Sequence, residues 1–320
     1  MRVVFMGTPE FAVPSLDRLA AERHEILLVV TRPDRRRDRR AEPSPSPVKA
    51  RARALGLEVM EPATAGDEAL QERVAALRPD LAVVVAYGRI LPPALLAAPA
   101  RGAVNVHASL LPRWRGAAPI ARAILAGDRV TGVTTMQMDR GLDTGAILLE
   151  RPCDIEDRET TLTLTGRLAR LGADLLAETI VLLARDALAP RSQDESRATW
   201  APPLRREDGR IAWESPAAEI DRRVRACQPW PVAEAGLRGE RVQILEAEPL
   251  PPDDPAGAEA DGAAPGLVLE AGGRLVVACG DGTRLALRSL RLPGRRPLGA
   301  REAVNGRIVA RGDRLTAPPA

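Results

Sequence analysis

Aromatic residues are almost missing from this 320-residue chain: two Phe, one Tyr and four Trp, about 2% of the whole. Its core therefore has to be built from Ala, Val, Leu and Ile. Histidine is as scarce, His24 and His107 being the only two, and no ligand spacing accompanies either, so a zinc reading of the chain fails. The three cysteines, at 153, 227 and 279, lie far apart with no Cys-x-x-Cys pair. That excludes a disulfide framework and a structural zinc knuckle, and it fits a reducing cytoplasm. No metal is expected. Apolar runs such as Leu81 to Tyr87 are too short to cross a bilayer, and no charged leader with an apolar core precedes the first strand-like run. No membrane partner is expected either. Gly7-Thr8-Pro9 stands where a dinucleotide-binding chain would carry Gly-x-Gly-x-x-Gly, which argues against a nicotinamide or flavin dinucleotide. Lys49 is the only lysine, every other cationic side chain being arginine. So marked a skew belongs to overall composition, and it warns against reading each arginine as a phosphate ligand.

What is present is an ordinary globular composition, 45% hydrophobic and 28% charged, long enough for two domains that each bury a core. A net charge of only +3 decides nothing about nucleic acid by itself; the distribution of arginine does. The first half alternates apolar runs with helical periodicity. Val3 to Met6, a helix near Phe11 to Ala20, Ile26 to Val30, a helix near Asp67 to Leu77, Leu81 to Ala86, a short helix near Pro93 to Ala97, and a strand ending at His107 follow in turn. This alternation predicts an α/β, Rossmann-like domain with a mostly parallel sheet, whose ligands bind outside the carboxyl ends of the strands. Thr160 to Ala184 carries a broad apolar stripe through Leu162, Leu164, Leu168, Leu171, Leu175, Leu176, Ile180 and Leu183, the pattern of a helix packed on that sheet. From Ala189 to Asp208 periodicity stops and Pro, Ser, Asp and Arg accumulate, as in a linker. Beyond it, strand-like runs at Arg241 to Glu246, Gly266 to Leu269, Leu275 to Cys279 and Arg284 to Leu290 are separated by turn residues, which predicts a small β-barrel. Pro251 to Pro265 reads as an insertion within it. The expected organisation is one domain over 1–188, a linker over 189–208 and a smaller domain over 209–320.

Chemistry concentrates between Asn105 and Gly145. On a strand from Gly102 to His107 side chains alternate, so Asn105 and His107 share one face while Val104 and Val106 share the other. An amide beside an imidazole offers a donor for a developing oxyanion and a group that moves a proton. Asp143, between glycines in Gly141-Leu-Asp-Thr-Gly145, supplies an orienting carboxylate if its turn returns to the histidine. An Asn-x-His triplet is short and unspecific, and a core histidine beside a loop-capping asparagine is the ordinary alternative.

The flanking residues narrow the choice. Asn105-Val-His-Ala-Ser-Leu-Leu-Pro-Arg-Trp-Arg-Gly-Ala-Ala-Pro119, followed by the Gly-Leu-Asp-Thr-Gly turn, resembles the folate-dependent formyltransferases. Segments similar to the family recur from the opening Met1 run through Val29-Val-Thr-Arg-Pro-Asp34, Ser46-Pro-Val-Lys49, Val83-Val-Val-Ala-Tyr-Gly88 and Gly132-Val-Thr-Thr-Met-Gln-Met-Asp139 to Arg225-Ala-Cys-Gln-Pro-Trp-Pro231. Nearly the whole chain is covered. The resemblance implies a catalytic, folate-binding domain over 1–188 and an OB-like, tRNA-binding barrel over 209–320. It implies transfer of a formyl group from 10-formyltetrahydrofolate to the α-amine of methionine esterified to initiator tRNA, for translation initiation. Asn105, His107 and Asp143 take the catalytic roles, and Ser109, Leu110, Leu111 and Pro112 line the folate site.

By the same resemblance, the arginine-rich segment holding Arg35, Arg36, Arg37, Arg39 and Arg40 is a loop that enters the acceptor end of the tRNA. A solvated charge run is the ordinary reading of such a segment. This copy departs from the family in having Arg32 where glutamine is common, in lacking the loop's glycines, and in reading Trp200-Ala-Pro-Pro-Leu where Tyr-Ala-x-Lys is usual. Arg288, Arg291, Arg295, Arg296, Arg301, Arg307, Arg311 and Arg314 form a further track for phosphates near the C-terminal end. The chain is expected to act as a monomer. Competing expectations are a formyltransferase for an amino sugar nucleotide, a formyl-folate hydrolase, and a tRNA-binding module without turnover.

Overall fold

A computed structural model describes residues 1–34, 44–254 and 262–319. Arg35, Arg36, Arg37, Arg39 and Arg40 lie outside the described residues, as does the middle of the insertion after Asp254. The chain divides into two units, one of residues 1–119, 130–154 and 164–202, the other of 120–129, 155–163 and 203–320.

The first unit opens with the alternation read from the sequence: β1 (Arg2–Gly7), α1 (Val13–Ala21), β2 (Glu25–Val30), α2 (Pro47–Ala54), β3 (Val59–Met60), α3 (Glu68–Leu77), β4 (Leu81–Val85), α4 (Pro93–Ala97) and β5 (Ala103–His107). There follow along the chain β6 (Arg115–Gly116), α5 (Pro119–Ala126), β7 (Val130–Gln137), β8 (Ile147–Asp154), α6 (Thr161–Ala184) and β9 (Trp200–Ala201), of which α5 from residue 120 and the first three residues of α6 fall in the second unit. The sheet runs β3-β2-β1-β4-β5-β7-β8, with the first five strands parallel, β7 antiparallel to β5 and β8 antiparallel to β7. Strands β4 and β5 are buried at every residue, as expected of continuous apolar runs covered on both faces. Local chemistry sets the helix starts. The Ser46 hydroxyl accepts from the Lys49 amide at 3.2 Å ahead of Pro47, and the Asp67 carboxylate accepts from the Leu70 amide at 3.1 Å.

Helix α6 decides which face of β5 is functional. At Gly172 a Cβ would come within 2.8 Å of Val106 Cγ1, so the helix lies directly on the Val106 face. Asn105 and His107 therefore point to the opposite face, and His107 is the last residue of its strand. Most of the α6 stripe is buried, including Leu164, Leu168, Leu175, Leu176 and Ile180, but Leu162 in its first turn is exposed. Where the loss of periodicity suggests a linker, residues 189–202 are folded into the first unit. Arg191 forms an antiparallel bridge with Ile147, and β9 pairs in parallel with β6. Such pairing rests on backbone groups, to which polar composition gives no clue.

In the second unit α7 (Ala217–Ala226) precedes β10 (Ala233–Leu237), β11 (Glu240–Pro249), β12 (Val268–Ala271), β13 (Leu275–Ala278), β14 (Arg284–Arg291), β15 (Leu298–Gly299), α8 (Ala300–Asn305) and β16 (Leu315–Thr316). The antiparallel order is β12-β13-β14-β11-β10-β16, with β15 on β14. Its two edges then meet: Leu267 bridges Arg314, the Val268 amide donates to the Asp313 carbonyl, and the Leu315 amide donates to that of Gly266, each bond 2.8 Å long. Gly266 has φ +87, and a Cβ there would strike the Leu315 carbonyl, so the closure needs glycine. The sheet thus curls on itself in the barrel-like form expected, around Trp213, Ile220, Val224, Ile244, Leu285 and Leu287.

Candidate active site

His107 ends β5 with 5% of its surface exposed. Its Nε2 lies 2.9 Å from the Trp114 carbonyl oxygen, and since a carbonyl only accepts, Nε2 carries the hydrogen there. Trp114 presents that carbonyl from a left-handed backbone, φ +61, with its amide donating to the Thr199 hydroxyl at 2.9 Å. The other ring nitrogen, Nδ1, is 3.7 Å from Asp143 Oδ2, close enough to pair when the ring is charged. Asp143 is itself left-handed, φ +56, and its Oδ2 accepts from the Gly116 amide at 2.8 Å. The turn around it is tight, because a Cβ at Gly145 would collide with the Gln137 carbonyl.

Asn105 is buried, yet among the described residues no group hydrogen-bonds its amide. An uncommitted amide two residues before a carbonyl-anchored, carboxylate-facing imidazole is a donor free for something other than the protein. Past the end of β4, the Tyr87 hydroxyl and Arg89 Nη1 are also buried with no hydrogen-bond partner among the described residues. Burial holds the Tyr87 phenol above its ordinary range, so it remains protonated at neutral pH.

The loop after β5 is a rigid frame. The Ser109 hydroxyl donates to the Arg113 carbonyl at 2.6 Å, and the Thr134 hydroxyl donates to the Ser109 carbonyl at 2.7 Å while accepting from the Leu111 amide at 3.1 Å. Leu111 packs with Met136 and Ile147, whereas Leu110 and Pro112 keep partial exposure. Of the four residues expected at the folate, two are thus free to present side-chain surface and two hold the loop. Among the described residues no cluster of three or more His, Cys, Asp or Glu side chains is placed to hold a metal. Burial lifts the Cys227 thiol to about 11 and that of Cys279 to about 12, so neither is a thiolate nucleophile at neutral pH.

Three residues of the neighbourhood escape sequence reasoning. Arg115, 1% exposed, donates to Gln193 Oε1 from Nε at 3.0 Å and from Nη2 at 2.8 Å, and its guanidinium also grips the Glu195 carboxylate at 2.8 and 2.7 Å. Gln193 Nε2 donates in turn to the carbonyls of Asp143, at 2.8 Å, and Gly145, at 2.7 Å. Gln193 and Glu195 lie in the polar stretch that reads as a linker, with no motif to mark them.

A family model described as "Formyl transferase" matches residues 1–180, and one described as "Formyl transferase, C-terminal domain" matches residues 203–307. Methionyl-tRNA formyltransferase of Methylococcus capsulatus is 48% identical over 98% of this chain and 99% of its own length; that of Stenotrophomonas maltophilia is 49% identical over 96% and 98%. The chain belongs to the methionyl-tRNA formyltransferase family. It is accordingly a formyl-transferring enzyme. Two solved structures share the formyltransferase fold. HypX from Aquifex aeolicus in complex with tetrahydrofolic acid has a TM-score of 0.65 at 17% identity, covering 97% of this chain and 48% of that one. An N-formyltransferase from Helicobacter canadensis, in complex with folinic acid and dTDP-3-aminofucose, has a TM-score of 0.67 at 16% identity, covering 89% and 98%. At these identities the likeness is one of fold, and no sugar acceptor follows for this formyltransferase. No helix among the described residues is long and apolar enough to cross a membrane.

Proposed function

We propose that this formyltransferase moves the formyl group of 10-formyltetrahydrofolate to the α-amino group of methionyl initiator tRNA, in the cytoplasm and as a monomer. The observation that carries the reading is identity of 48% to a methionyl-tRNA formyltransferase over 98% of the chain. The folate supplies an activated formyl carbon; everything else is the work of the chain. A free α-amine has a pKa of about 8 and the neighbouring ester lowers it, so much of the nucleophile is already neutral at physiological pH and needs little activation. Asn105 donates its free amide N–H to the formyl oxygen as negative charge builds on it. His107 takes up, on the ring held between the Trp114 carbonyl and Asp143, the proton that the attacking amine releases and returns it to the departing folate nitrogen. Asp143 stabilises the imidazolium and keeps the ring in orientation. Leu110 and Pro112 contribute surface to the folate site, with Ser109 and Leu111 fixing the loop that presents them. Residues 1–188 carry the chemistry and 209–320 bind tRNA, with Arg35, Arg36, Arg37, Arg39 and Arg40 as further phosphate contacts. The uncommitted Asn105, Tyr87 and Arg89 polar atoms near the carboxyl ends of the sheet support a polar ligand there.

Incubation with 10-formyltetrahydrofolate and a mixture of methionyl-tRNA, unesterified tRNA and an amino sugar nucleotide tests the reading. Formyl label is expected on methionyl-tRNA alone. Label on the sugar, or release of free formate without label on any acceptor, refutes it.

A further inference from the structure

The geometry points to Gln193, locked by Arg115 and Glu195, as a positioning residue for Asp143 in formyl transfer. This rests on the catalytic reading of Asp143 and His107 above. Asp143 sits in the left-handed backbone region, φ +56, in a turn held from within by Asp139, which accepts from the Gly141 amide and the Thr144 hydroxyl, and from without by further bonds. Three bonds reach it from outside: the Gly116 amide holds the carboxylate at 2.8 Å, and Gln193 Nε2 holds the Asp143 carbonyl at 2.8 Å and the Gly145 carbonyl at 2.7 Å. A glutamine amide can turn over and exchange its oxygen for its nitrogen, which would set an acceptor against two carbonyls. Arg115 prevents this. Its guanidinium has donors only, two of which point at Gln193 Oε1, so the NH2 must face the turn. The remaining edge of Arg115 is spent on Glu195 in a two-pronged pair, which holds the Glu195 carboxyl below its ordinary range and raises the guanidinium. The dipeptide Arg115-Gly116 thereby grips the aspartate twice, directly through the Gly116 amide and indirectly through Gln193. With Asp143 Oδ2 3.7 Å from His107 Nδ1, a small rotation of the turn removes the carboxylate from the imidazole.

The test is a pair of variants read for kcat, KM and melting temperature in the full chain. Gln193→Glu keeps the shape and strengthens the attraction to Arg115, yet it cannot donate to the Asp143 and Gly145 carbonyls. The carboxylate then faces two carbonyl oxygens, so a merely structural glutamine predicts a lower melting temperature with kcat unchanged. The positioning role predicts a kcat about 10-fold to 100-fold lower at a temperature where the variant is fully folded, with KM for both substrates within about twofold. Gln193→Ala is expected to lose kcat to a similar extent. Gln193→Glu with wild-type kcat overturns the proposal, as does a loss confined to KM or to thermal stability. Asp143→Asn measured alongside separates the levels. If it is inactive while Gln193→Glu is active, positioning alone fails; if Asp143→Asn is itself fully active, the catalytic reading falls and the positioning role with it.

Discussion

Asn105 and His107 are both nearly buried, but they stand in different relation to the protein. His107 has each ring nitrogen directed at a protein oxygen, so changing it disturbs the loop that carries Trp114 as well as the chemistry. The Asn105 amide has no partner among the described residues, so it contributes little to folding and its substitution is the cleaner probe. Removing one oxyanion donor typically costs about 10²- to 10³-fold in kcat, on the order of 3 kcal/mol. Asn105→Ala is therefore expected to lose turnover on that scale with folate affinity and melting temperature nearly unchanged. Steady-state kinetics, a folate titration and a thermal melt decide it; a variant that melts early with normal kcat makes Asn105 a structural residue. The pairing of amide and imidazole on one face is legible from strand alternation alone. That the amide is free and the imidazole held is not, because it depends on where the carbonyl of Trp114 and the carboxylate of Asp143 end up.

At the scale of elements, α2 supplies the one lysine. Lys49 is buried on this helix and pairs with Asp34, beyond β2, at 2.5 Å and with Glu61, beyond β3, at 2.6 Å. It thus ties α2 to the chain just beyond β2 and just beyond β3. Burial alone would lower the Lys49 ammonium, but Asp34 and Glu61 together raise it, and the Lys49 hydrogen bond holds the Asp34 carboxyl below its ordinary range. Lys49→Met leaves two carboxylates without their cation and is expected to cost about 2 kcal/mol at pH 7. A carboxyl whose folded pKa is depressed contributes stability above its unfolded value of about 3.9 and loses it as pH falls through the folded one. The gap between wild type and Lys49→Met should therefore be steady from about pH 5 to 8 and narrow below about pH 4. Urea unfolding across that range checks it, an equal gap at pH 3 and pH 7 being the contrary result. The sequence pattern announces the long elements here, β1, β2, α3, β4 and α6, because an unbroken apolar run or a period of 3.6 survives in a single chain. It passes over α2, α5 and the β7-β8 hairpin, which are short or are set by pairing with distant strands, and it gives no sign that a polar stretch from Gln193 to Thr199 closes around Arg115 and Trp114.

Over the whole molecule a net charge of +3 conceals an uneven use of arginine. Some C-terminal arginines are spent internally: Arg288 holds Glu248, Arg296 holds Glu302 and Arg291 donates to Gln243. Others, Arg295, Arg301, Arg307 and Arg314, make no ion pair among the described residues. A guanidinium already neutralised at 2.6 to 2.9 Å presents little field to a distant phosphate, whereas an unpaired one carries a counterion that a phosphate can displace. The arginine track inferred from sequence should accordingly divide in two. Replacing Arg295, Arg301, Arg307 and Arg314 together by serine is expected to raise KM for methionyl-tRNA several-fold and to flatten its logarithmic salt dependence by roughly one unit for each phosphate left without its arginine. Arg288→Ser with Arg296→Ser should leave that slope nearly unchanged, although both carry the same formal charge. KM measured from about 50 to 250 mM salt distinguishes the sets, with folate KM as the internal control since its binding displaces no tRNA counterions. A slope change in the double variant half as large as in the quadruple one would mean that tRNA binding depends on charge count alone, and the unpaired arginines would then have no special place in holding the tRNA.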